Sequence, residues 1–307
     1  MKRKYSFRRA ARWEKKKKLN MNGIIDFHTH TFPDHMAAKT VDHLKSFSHT
    51  PAYTDGTNAG LLRKMKEAGI ERSVILPVAT KPSQVKTINR TAAEVNRQYK
   101  ENGLISFAGM HPDYEDWEEE MHRIKENGIA GIKIHPVYQG VDIDDTRFIR
   151  ILKCAKELDL IVVTHAGKDI GLPGIEHCSP AMCRNALDQT GPFKFVLAHM
   201  GGWKNWDEVP HYFKGTGVYV DTSFSADHFE RADDYWSEED SRMLSAEGDM
   251  KIIREIGAEH VLFGTDSPWG EQKKTVNFID NLPLSNDEKT IIFRHNAERL
   301  IFADKHA

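Results

Sequence analysis

From Met21 onward the chain alternates short β-branched or apolar runs with longer segments whose apolar positions recur at helical spacing. That alternation predicts βα units built on a parallel sheet. Eight runs can be counted: 23–30 (GIIDFHTH), 71–79 (ERSVILPVA), 104–113 (LISFAGMHPD), 129–136 (IAGIKIHP), 160–167 (LIVVTHAG), 193–202 (FKFVLAHMGG), 217–224 (GVYVDTSF) and 260–268 (HVLFGTDSP). Between them, 82–102 reads as an amphipathic helix, 116–128 as a helix with a glycine stop, and 145–159 as a third. A helix is also expected to start at Ser179 with Pro180 in its first turn, and the chain closes on helical IIFRHNAERLIF. The expected fold is α/β, a single (β/α)8 TIM barrel, with a doubly wound open sheet as the alternative.

Two connections are longer than a plain barrel needs, 32–60 after the first strand and the segment SADHFERADDYWSEEDSR after the seventh. Both leave the C-terminal ends of strands, where barrel enzymes build their pockets, so both are expected to be lid or specificity loops.

Composition narrows the class. The chain has 307 residues, 39% of them hydrophobic, enough for a large core in one barrel. No apolar run approaches the roughly 20 residues that span a bilayer, so no membrane association is expected. Cys154, Cys178 and Cys183 have neither zinc-ligand spacing nor disulfide density, which points to a reducing cytoplasm. The net charge of −2 hides a basic start: residues 1–20 carry ten Lys/Arg and one Glu, leaving 33 basic and 44 acidic residues in the rest. Residues 1–20 are read as a disordered basic extension from an upstream start, and 21–307 as the folded domain. The acidic remainder argues against nucleic acid as a partner.

Chemistry then enters through the histidines. Of 16, six fall at the C-terminal end of a predicted strand: His28, His30, His111, His135, His165 and His199. A closed parallel barrel brings all those ends to one rim. His28 and His30 are an i, i+2 pair, which on a strand share a face with Cα atoms about 6.6 Å apart. Two imidazoles at that spacing can meet one ion. His165 and His199 follow apolar strands and precede glycines that let the backbone turn away. Asp266 closes the eighth strand. Taken singly, each is as consistent with a hydrogen-bonded strand end; together, four histidines and a carboxylate from strands one, five, six and eight make a metal site.

These residues resemble the amidohydrolase superfamily, in its amidohydrolase-related branch of metal-dependent hydrolases and decarboxylases. DFHTH, VVTHAG, LAHMGG, FGTDSP and the closing NAERLIF carry the resemblance, which runs from about residue 23 to 302. It implies that His28, His30, His165 and Asp266 hold a divalent ion, zinc first and manganese second, one ion rather than two. It also implies that His199 orients substrate or water. Lys133 alternates with Ile132 and Ile134 and so faces the barrel interior. Binuclear relatives carboxylate a lysine there as a metal bridge; otherwise Lys133 binds a substrate carboxylate or pairs with Asp266. His135 and His111 are the other candidate substrate contacts, although His111 beside Pro112 equally suits a cap.

The leading expectation is hydrolysis of an amide, lactone or ester of a small molecule by metal-activated water, with Asp266 moving the proton and His199 steadying the oxyanion. The alternative is non-oxidative decarboxylation of an unsaturated or aromatic acid at the same site. A nuclease resembling the TatD-type deoxyribonucleases would share DFHTH and GMHPD but would carry glutamate where Lys133 stands. A non-catalytic binding module has no use for Asp266 and His199 beside the metal set. Substrate identity should lie with Tyr138, Trp203, Trp269 and the segment around Tyr235 and Trp236. Relatives of this kind are commonly homodimers, and no interface is legible here.

Overall fold

A computed structural model describes residues 23–302; the expected basic extension, 1–20, lies outside the described residues. Nine strands run in chain order: β1 (Ile24–Thr29), β2 (Ile70–Ile75), β3 (Leu104–Ser106), β4 (Ala108–Gly109), β5 (Gly131–Ile134), β6 (Ile161–Thr164), β7 (Phe195–Leu197), β8 (Tyr219–Asp221) and β9 (Val261–Leu262). All pairs are parallel, ordered β1-β2-β3 and β4 through β9. β3 and β4 are the single third strand expected from the sequence, interrupted at Phe107, whose N–H still donates to the Ile75 carbonyl at 2.9 Å. At the other seam Phe27 N–H donates to Phe263 O at 2.7 Å, and Asp266 N–H to His28 O at 2.8 Å. These bonds join last strand to first, as the (β/α)8 reading requires.

Two layers of core follow from strand alternation. Ile25, Phe27, Val74, Phe107, Val163, Val196 and Leu262 fill the barrel, with Ala297 and Leu300 of the last helix packed against them. Ile132, Ile134, Val162, Leu197 and Val220 point the other way, against the helices. Phe27 and Phe107 meet edge to face, 5.8 Å between ring centres.

Local signals explain the helix ends. Ser179 accepts the Met182 N–H and Pro180 opens the helix Pro180–Thr190, as expected. The segment 82–102 is less regular than its periodicity suggests: a 3-10 turn, the helix Val85–Arg97, then a short turn of helix Tyr99–Asn102. The connection after β1 is itself helical, Asp34–Ser48, and continues into Asn58–Ala68. Between Phe224 and Ser245 the segment has no regular helix or strand; two isolated bridges, Ala226 with Leu244 and His228 with Arg242, and backbone bonds such as Phe229 N–H to Ser241 O at 3.0 Å hold it together. No described helix is long and apolar enough to cross a membrane, and the three cysteines are buried and unpaired.

Candidate active site

The site begins with a flaw in β1. Asp26 pairs with Ser73 and Thr29 with Ile75, so three steps on β1 oppose two on β2. The extra residue is a bulge, which re-aims side chains at a strand end. Phe27 therefore packs in the barrel while His28, its neighbour, also reaches the interior. Gly264 makes room: a Cβ there would lie 2.9 Å from His28 Cβ. Asp26 locks the bulge to the last strand, accepting from Thr265 N–H, Thr265 Oγ1 and Gln272 Nε2. Burial pushes its carboxyl up to about 7.

Four imidazoles then present the same pattern. His30 Nδ1 donates to Leu76 O at 2.7 Å, His199 Nδ1 to Ser223 O at 3.0 Å, and His165 Nε2 to Lys168 O at 2.9 Å. A carbonyl only accepts, so each of those nitrogens carries the proton. His28 Nδ1 donates to Asp221 Oδ2 at 2.8 Å. The opposite nitrogens are lone pairs, and they face one another: His28 Nε2 and His30 Nε2 lie 3.2 Å apart, His165 Nδ1 and His199 Nε2 3.0 Å apart. Asp266 Oδ1 adds a further acceptor, 3.0 Å from His30 Nε2 and 3.3 Å from His28 Nε2. Acceptors crowded on acceptors repel unless a cation sits among them, so the donor set fits a divalent ion. His28, His30 and Asp266 converge most tightly.

A second cluster, His135, His165 and Asp169, fails the same test. His135 Nδ1 accepts the Tyr138 N–H, so its Nε2, 3.6 Å from Asp169 Oδ2, bears the proton. The His165 Nε2 proton is already committed to Lys168. That cluster is a hydrogen-bonded wall, with His135 stacked between Tyr138 and His165 at 3.9 and 4.2 Å.

Lys133 is fully buried, as its alternation with the isoleucines predicts, and its Nζ lies 3.4 Å from His28 Nε2. Burial brings its pKa down to about 8 against the pull of Asp221 and Asp266. Burial, reinforced by Lys133, pushes His165 down to about 3, and burial also lowers His28, His135 and His199, so these rings stay neutral. Asp169 is raised to about 6 by burial. His199 and Asp266 both have left-handed backbones, φ 58° and 64°, a strain that tends to gather at functional sites. Gly167 does what the sequence asked of it: at φ 87° it turns the chain after His165, and a Cβ would lie 2.3 Å from Trp203 N.

The metal end opens into a cavity of about 810 Å³ lined by His28, His30, Lys133, His135, His165, His199 and Asp266. Tyr138, Trp203 and Trp269 also line it, as expected, whereas Tyr235 and Trp236 do not. Tyr235 stacks on His49 and the Trp236 indole donates to Ser48 O, so the pair holds the end of the helix Asp34–Ser48. His111 lies outside the cavity wall and caps its own turn, its Nδ1 accepting the Asp113 N–H. Asp221, Ser223 and Asp169 were not singled out from the sequence. Asp221 ends a strand like the histidines do, which was the available signal; Asp169 sits in an aperiodic loop that gives none.

A family model described as Amidohydrolase matches residues 25–302. No curated protein matches the chain. Among solved structures, an uncharacterised TIM-barrel protein from Bordetella bronchiseptica is similar, with TM-score 0.70 and 20% identity, covering 91% of this chain and 98% of its own. A 5-carboxyvanillate decarboxylase from Sphingomonas paucimobilis has TM-score 0.64 and 16% identity, covering 91% and 99%. A dihydroxybenzoic acid decarboxylase from Polaromonas sp. JS666, solved with bound manganese and 2-nitroresorcinol, has TM-score 0.63 and 17% identity, covering 91% and 97%. At these identities the likeness establishes the fold.

Proposed function

Because the chain belongs to the amidohydrolase family, we propose that it is a divalent-metal-dependent enzyme that decarboxylates an unsaturated or aromatic carboxylic acid. Hydrolysis of an amide, lactone or ester, the leading expectation from sequence, becomes the second reading. The observation that carries the change is Lys133: a fully buried cation, 3.4 Å from His28 Nε2 and facing the cavity, suits a substrate carboxylate. A neutral amide or lactone has no use for it. The decarboxylase structures that share the fold support the same choice.

His28, His30, His165 and Asp266 are assigned as the ligands of one ion, since in the neighbouring cluster His135 and His165 turn protonated nitrogens towards Asp169 and leave it as the one donor to a second. The nitrogen and oxygen donor set, without thiolate, suits manganese or zinc. Bound there, the ion would neutralise charge on the substrate's carboxylate end. Lys133 holds that carboxylate, while the rings of His135 and Tyr138 form a flat wall beside it. Asp266 takes a proton from solvent water and passes it to the carbon bearing the carboxylate. The new C–H bond forms as the C–C bond to the carboxylate breaks, its electron pair returns to the conjugated system, and CO2 leaves. His199, with Nδ1 fixed on Ser223 O, keeps its Nε2 directed at the reacting end. A cytoplasmic setting is in keeping with the three unpaired cysteines.

The test is CO2 release from a panel of aromatic and unsaturated acids by protein loaded with manganese or zinc, beside an ester, lactone and amide panel. Release that a strong chelator abolishes is the expected result. Turnover confined to the hydrolase panel would establish the second reading instead.

A further inference from the structure

The cavity is far larger than its reactive end. At about 810 Å³ it lies near the top of the range of roughly 300–1,000 Å³ that encloses drug-sized ligands. Its metal-ligating groups and its lysine gather at one end. Among the described residues Lys133 is the one Lys or Arg on the wall, and no arginine reaches it. Asp169 at the inner end and exposed Asp34 at the mouth would repel a second anionic group.

Away from the metal end the wall is extended and carries no Lys or Arg among the described residues. Thr87, Thr91 and Val95 lie four residues apart on the helix Val85–Arg97, so they form one line about 12 Å long. Met36 and Phe47, two of the few large apolar side chains left exposed at 42% and 49%, stand on the same wall from the opposite helix. Apolar surface kept open beside a binding cleft serves a ligand.

We propose that this site takes an elongated monocarboxylate, with one carboxylate at Lys133 and an uncharged, largely apolar body that runs out past Phe47 and along Thr87, Thr91 and Val95. The inference rests on the carboxylic-acid reading above and narrows it, excluding dicarboxylates and assigning the long arm of the cavity to the substrate's tail.

Calorimetric titration of the manganese-loaded full chain with benzoate and a series of 4-alkylbenzoates tests it without relying on turnover. Affinity should rise about fourfold for each of the first several methylenes, the value of burying one CH2. An alkyl chain ending in a second carboxylate should bind at least about tenfold more weakly than its methyl-ended counterpart, a charge left unpaired against a wall without Lys or Arg. Thr91→Trp fills the line from an exposed helix position, and should shrink the ratio of benzoate to octylbenzoate Kd measured within that variant. Affinity indifferent to chain length, or a ratio unchanged by Thr91→Trp, would overturn this inference and leave the carboxylic-acid reading standing. Failure of every carboxylate to bind a metal-replete protein would overturn both.

Discussion

The Nδ1–H of His28 donates to Asp221 Oδ2 at 2.8 Å, and the other oxygen of that carboxylate accepts the backbone N–H of His199 at 3.0 Å. One buried side chain on β8 therefore sets the tautomer of a histidine on β1 and the position of another after β7. Asp221 touches no reacting atom; it is a positioning residue. Carboxylates that orient ligand histidines typically contribute 10- to 100-fold to metal affinity. Asp221→Asn should lose about that much in a competitive metal titration. Unchanged affinity would mean that His28 holds its orientation without Asp221.

Gly264 provides the space that this arrangement needs. A methyl group at its Cα would stand 2.9 Å from His28 Cβ, closer than such carbons approach, while Asp221 Cβ at 3.5 Å would be in ordinary contact. Gly264→Ala should lower stability by about 1–3 kcal/mol, the usual penalty for overpacking a core, and should weaken metal retention with it. Denaturant melts of the metal-free and metal-loaded forms separate the two effects. A variant equal to the parent in both would show that the bulge yields freely.

Much of this is legible in the sequence. The eight apolar runs, the inward face of Lys133 and the convergence of His28, His30, His165, His199 and Asp266 all follow from period-two alternation and from where each run stops. Three things are not. The bulge in β1 leaves no mark on the pattern, because Phe27 and His28 read as ordinary neighbours. The helix Asp34–Ser48 reads as a loop in the sequence, since it buries only Ala37, Val41 and Ser48 and so has a weak apolar stripe. The preference for an acid substrate needed the distance from Lys133 to His28, which no sequence spacing encodes.

If Lys133 holds the substrate carboxylate, its removal should be felt in binding first. Lys133→Met keeps the length and apolar stem while deleting the ammonium. A hydrogen bond to a charged group contributes about 1.5–3 kcal/mol, so Kd for benzoate should rise about 10- to 100-fold in the metal-loaded variant, with metal content retained. Loss of metal together with binding would instead point to Lys133 as part of the ion's own support.

Asp249 offers a test that is independent of the site. It is fully buried in the helix Ala246–Ile256, and neither carboxylate oxygen has a hydrogen-bond partner among the described residues. Burial raises its pKa well above the ordinary 3.8. The folded chain therefore keeps a proton that the unfolded chain releases near 3.8, and stability falls as pH rises from there towards the folded value. Asp249→Ala removes both the unpartnered group and this dependence. It should be more stable than the parent at pH 7, by about 1 kcal/mol or more, and close to it at pH 4. Urea melts of both proteins across that range read the difference directly, with every other titrating group common to the pair. A gap that is constant with pH, or that widens in acid, would show that Asp249 is ionised in the folded chain and has found a partner there.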